Sequence, residues 1–121
     1  MPSAELKFTL LEETVLYAIC ETYPIDRAAL RTQLSTAKIL RRENTGAGFY
    51  TDFTVDRASS PAIGGERLRA GPSVRVKGLD HGMGFILWLR EGYAHQLEGY
   101  AYGENTTGIS LEQATFEVLH E

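Results

Sequence analysis

A chain of 121 residues with 43% hydrophobic side chains, 23% charged side chains and a formal charge of −4 has the composition of one folded domain: too apolar for disorder, too short for two cores. Its one cysteine, Cys20, excludes an internal disulfide and a cysteine-built zinc site. The start, MPSAELKFTLLEE, is acidic where a secretory leader needs a basic beginning, and Phe85 to Leu89 falls far short of the ~20 apolar residues that cross a bilayer, so a cytoplasmic protein without membrane segment, metal or cofactor is expected.

The apolar residues Leu11, Val15, Leu16, Ile19, Cys20 and Tyr23 recur at helical steps and predict a first helix over Leu10 to Tyr23. Thr9 with Glu12 forms a capping-box pattern, Glu13 adds negative charge to the first turn, and Pro24 ends the helix. Asp26 is placed to cap a second helix with Ala29, Leu30, Leu34 and Ala37 inward and Arg27, Arg31 and Gln33 in water. Lys38 to Glu43 reads as a strand rather than a continuation of that helix, leading into the turn Asn44-Thr45-Gly46. Gly48 to Val55 alternates as a half-buried strand, and Asp56 to Pro72 has no period and reads as a long loop.

Ser73 to Leu79 alternates again, with Val74 and Val76 inward. Phe85 to Leu89 is apolar on both sides, as suits the middle of a sheet, and Glu91-Gly92 turns it into a returning strand over Tyr93 to Tyr102. In the tail, Ser110 with Gln113 predicts one turn of helix, followed by a strand over Thr115 to Leu119. The fold expected is α+β, one domain over residues 1–121, with an N-terminal helical hairpin packed on one face of a mostly antiparallel four- to six-stranded sheet.

Two stretches, RRENTGAGFYTDF (Arg41 to Phe53) and GMGFILWLREGYAHQLEGYAYGE (Gly82 to Glu104), together resemble a group of small uncharacterised bacterial proteins. In that group a TG-x-GF-[FY]-T strand is followed by a GF-x-L-x-L hairpin closing on LEGY. The resemblance covers about a third of the chain. It implies a small α+β fold and carries no established activity and no catalytic residue.

Chemistry is sparse. Thr45-Gly46-Ala47-Gly48 lacks the lysine and following helix of a phosphate loop and reads as a hairpin turn. Cys20 lies on the apolar stripe, without a neighbouring base to make it a nucleophile. His81, His95 and His120 have no ligand spacing, and His95 reads as a cross-strand partner on a sheet face. Along the last hairpin, Tyr93, His95, Leu97, Gly99 and Ala101 alternate with Ala94, Gln96, Glu98, Tyr100 and Tyr102. If Tyr50, Asp52 and Trp88 on neighbouring strands join the second set, one sheet face presents aromatics with two carboxylates, a surface for a partner's cations or planar groups. If the helices cover that face, the same tyrosines are core aromatics.

Charge is segregated along the chain: −4 over Met1 to Asp26, +6 over Arg27 to Lys77 and −6 over Gly78 to Glu121. The leading expectation is a non-enzymatic protein-binding module using Tyr50, Asp52, Trp88, Glu98, Tyr100 and Tyr102, with another protein, or a second copy through the sheet, as partner. The alternative is an enzyme or binding protein for an anionic small molecule, in a cleft between the helices and the 56–72 loop, with Arg41, Arg42, Arg67 and Arg69 as contacts. Nucleic-acid binding through Arg27, Arg31, Lys38, Arg41 and Arg42 is the third reading, disfavoured by the sequence pI of about 5.4.

Overall fold

The computed structural model describes residues 6–119. Helices α1 (Leu10–Thr22) and α2 (Arg27–Ser35) come first. Seven strands follow: β1 (Lys38–Asn44), β2 (Gly48–Thr54), β3 (Leu68–Ala70), β4 (Val74–Val76), β5 (Met83–Arg90), β6 (Tyr93–Ala101) and β7 (Phe116–Val118). All belong to one antiparallel sheet in the order β1-β2-β6-β5-β4-β7, with β3 paired to β5. The α+β order and the helical hairpin are as the sequence predicts, with one strand more than the expected range. Among the described residues no helix is long and apolar enough to cross a membrane.

The capping box at α1 forms as read: the Glu12 N–H donates to the Thr9 hydroxyl, and the Thr9 N–H donates to the Glu12 carboxylate. Leu11, Val15, Leu16, Ile19 and Cys20 then bury against Phe49, Phe53, Phe85, Leu87 and Leu97 of the sheet. Burial pushes the Cys20 thiol above its ordinary pKa, so it stays a protonated core residue. Two expectations at α2 are corrected. Asp26 makes no side-chain cap; its carboxylate accepts from Arg69 Nε at 2.8 Å instead. Gln33 is fully buried, not solvated. Its amide nitrogen donates to Pro61 O and Gly92 O, and its oxygen accepts from Ala94 N–H.

The 56–72 segment is not a free loop. Leu68–Ala70 pairs with Trp88, Leu87 and Ile86, Ile63 enters the core, and Arg69 is buried. Its period was invisible because three residues are too few to show alternation. In the tail, Ser110 to Gln113 makes a turn without an assigned helix, and only the strand follows. The Ser110 hydroxyl donates to Glu112 rather than capping. The connection between β6 and β7 ties the two ends of the sheet together. Asn44 donates to Thr106 O, Arg42 reaches Glu112 at 3.5 Å, and Ile109 packs on Gly78.

Candidate functional site

Strand alternation sends Phe49, Thr51 and Phe53 of β2 and Phe85, Leu87 and Leu97 of the β5–β6 hairpin beneath the helices. The residues between them face the other way. The register arranges these in rungs: Arg41 opposite Asp52, Asp52 opposite Gln96, Gln96 opposite Trp88 and Trp88 opposite Leu68. In the next rung Glu43 faces Tyr50, Tyr50 faces Glu98, Glu98 faces Ile86 and Ile86 faces Ala70. Tyr100 follows, opposite Gly84. Tyr50, Asp52, Ile86, Trp88, Gln96, Glu98 and Tyr100 are all half-buried, and no helix lies over them.

Tyr50, Asp52, Trp88, Glu98, Tyr100 and Tyr102, grouped from alternation alone, therefore share one uncovered surface. Glu98 is its centre. Trp88 Nε1 donates to Glu98 Oε1 at 2.9 Å, and the Tyr50 hydroxyl donates to Oε2 at 3.3 Å, so an indole and a phenol hold one carboxylate between them. Asp52 accepts from Gln96 Nε2 at 2.8 Å and from Arg41 Nε at 2.9 Å. The negative charge of Glu98 is the largest cause lifting the Tyr50 phenol above its ordinary pKa, and burial adds to it. Burial first, then Tyr102, lifts Tyr100. Both phenols stay protonated donors across the physiological range.

Tyr100 lies flat enough over the sheet that a Cβ on Gly84 would meet its ring at 2.3 Å. Tyr102 meets it edge to face, with centroids 5.6 Å apart, and is 46% exposed. On these rungs the carboxylates of Glu43, Asp52 and Glu98 cluster around the Arg41 guanidinium.

The other sequence candidates do not assemble. Arg42 is half-buried in a forked ion pair with Glu12, Arg69 spends its donors on Asp26 and on the carbonyls of Gly64, Glu66 and Leu68, and Arg41 lies on the opposite face with Asp52. Arg67 is exposed on the 56–72 segment. These four arginines line no common cleft, because two of them hold the loop and the sheet to the helices. Arg27 and Arg31 share the Glu21 carboxylate, at 3.4 and 2.8 Å, so with Arg42 on Glu12 and Arg69 on Asp26 the acidic start of the chain holds four arginines of its basic middle. Thr45 to Gly48 is the hairpin turn, with Gly46 at φ +89°. His120 lies outside the described residues, and among those described no three His, Cys, Asp or Glu side chains are placed to hold a metal.

His95 and Ala94 depart from the alternation. A β-bulge pairs Leu89 with Ala94 while Trp88 pairs with Gln96, leaving His95 without a cross-strand partner. Ala94 is thereby turned into the core. In comparisons with known proteins, no family model, no curated protein and no solved structure matches this chain.

Proposed function

We propose that the protein is a non-enzymatic binding module whose uncovered sheet face docks a cationic segment, rich in arginine or lysine, of another protein. The observation that carries this reading is the Glu98 carboxylate held between Trp88 and Tyr50, with Asp52 one rung away. A guanidinium stacks on an indole or phenol face while pairing with the carboxylate beside it, and each contact strengthens as water leaves. Charge argues for a cationic partner over a second copy: face-to-face self-association would bring Glu98 and Asp52 against their own images. The sheet edge is a poorer dock. β1 carries Lys38, Arg41, Arg42 and Glu43 and a bulge between Ile39 and Arg41, features that blunt strand addition.

Trp88 is the one tryptophan in the chain, so its fluorescence reports directly on this face. An arginine-rich peptide is expected to change the emission saturably, and a glutamate-rich peptide of equal length at matched ionic strength is expected not to. Glu98→Gln should weaken binding about tenfold, the worth of one charge-assisted contact; Glu117→Gln, on β7, should leave it unchanged. Equal binding by Glu98→Gln, or silence of Trp88 towards both peptides, overturns the reading. A concentration-dependent dimer that shields Trp88 from acrylamide replaces the cationic partner with a second copy.

A further inference from the structure

Where β5 turns into β6, a cavity of about 410 Å³ opens beside the end of β2, a size usual for small-ligand sites. The bulge makes it: with His95 skipped by the ladder, its imidazole contributes to the cavity wall instead of to a cross-strand pair. Arg57, Arg90 and Tyr93 line the same space, and Leu40 and Val55 form an apolar side. The Arg57 guanidinium stacks over the Tyr93 ring, 4.6 Å from its centroid, and reaches Glu91 at 3.4 Å in an exposed pair. Arg90 has no ion-pair partner among the described residues. The cavity's one carboxylate, Asp52, is occupied by Arg41 and Gln96.

We infer that this cavity binds the dianionic head of a phosphorylated small molecule, with the organic body against Leu40 and Val55. Two arginines from different parts of the chain line one concavity whose carboxylate is already engaged; Arg57 holds only an exposed pair with Glu91 and Arg90 none among the described residues, and guanidiniums are matched to phosphate oxygens. His95 completes the set as a third donor. Burial first, then the positive charge of Arg90, hold its imidazole below the ordinary pKa; Arg57 acts in the same sense and Asp52 opposes it. An anion between the two arginines reverses that repulsion, so binding draws a proton onto His95. The cavity borders the cationic-peptide face at Asp52 and Gln96 but is lined by different cations, and it is read at His95, not at Trp88.

The test is an NMR titration of the His95 imidazole in the whole protein at pH 7.5. Its arms are phenyl phosphate, inorganic phosphate, phenol and sodium chloride at matched ionic strength. Phenyl phosphate is expected to shift His95 saturably and to raise its titration midpoint. Inorganic phosphate should bind at least threefold more weakly, and phenol and chloride should leave it unmoved. Arg90→Gln, at an exposed position, should weaken phenyl phosphate tenfold or more, and Arg75→Gln on β4 should not. A response matched by chloride, or unchanged affinity in Arg90→Gln, overturns the site; equal affinity for inorganic phosphate overturns the organic body. The wild-type titration decides the matter even if Arg90→Gln fails to fold.

Discussion

Glu12 serves three partners with one carboxylate. It closes the α1 capping box through the Thr9 N–H, accepts from the Thr51 hydroxyl of β2 and grips the Arg42 guanidinium of β1, with 1% of its side chain exposed. A buried pair of this kind costs desolvation to form, so removing one partner is worse than removing both. Glu12→Ala is expected to destabilise the fold by about 3–5 kcal/mol in chemical denaturation, and Glu12→Met with Arg42→Leu to regain part of that loss. Gln33 is the polar counterpart on α2. Gln33→Leu strands the Ala94 N–H and the Pro61 carbonyl, while Gly92 O keeps the Ile63 N–H, and a loss of about 1–3 kcal/mol per unsatisfied group is expected. His95 sets a pH dependence. Its folded pKa lies below its ordinary 6.5, so the unfolded chain takes up the proton first. Stability is therefore full above pH 6.5 and falls as pH drops from there through the folded pKa. His95→Gln should flatten that limb of a stability–pH profile, leaving the lower-pH limb set by Glu104 and Glu112. Those carboxylates are stabilised chiefly by backbone N–H donors, below their ordinary 4.5.

At the scale of elements, contacts between strands depend on residues that have no side chain. A Cβ on Gly48 would lie 2.0 Å from Gly99 O, across the β2–β6 ladder. Gly48→Ala should therefore push the two central strands apart and lower the melting temperature sharply. Gly84 is different, because the atom it would meet is the end of the Tyr100 side chain rather than backbone. Gly84→Ala should keep the fold but lift Tyr100 from the sheet, which an altered near-ultraviolet circular dichroism would report. The β5–β6 hairpin turns at Glu91 (φ +54°) and Gly92 (φ +86°), the two left-handed positions of a type I′ turn. Glutamate is poorly suited to the first of these. Glu91→Asn is expected to stabilise by about 0.5 kcal/mol or more, and it also releases Arg57 from its pair with Glu91.

For the whole molecule, the decisive asymmetry is that both helices lie on the same side of the sheet. One side is a sealed core, and the other keeps its aromatics and carboxylates at the surface. If that outer face docks cations, raising salt from 50 to 200 mM should weaken an arginine-rich peptide several-fold, since the contact is exposed and screened. The sequence by itself determined whatever depends on residues close along the chain: the Thr9–Glu12 cap, the stop at Pro24, the alternation of β2 and β6, the glycine turns and the grouping of Tyr50, Trp88, Glu98 and Tyr100. Each follows from a period or a cap written within a few residues. The tertiary structure alone decided the burial of Gln33, whose partners lie 28 to 61 residues away. It likewise decided that Arg42 and Arg69 are structural, that Leu68–Ala70 is a strand, and that the bulge at His95 opens a cavity. These depend on which distant groups meet, and a charged or amide side chain carries no local mark of whether a carboxylate or a carbonyl will be folded against it.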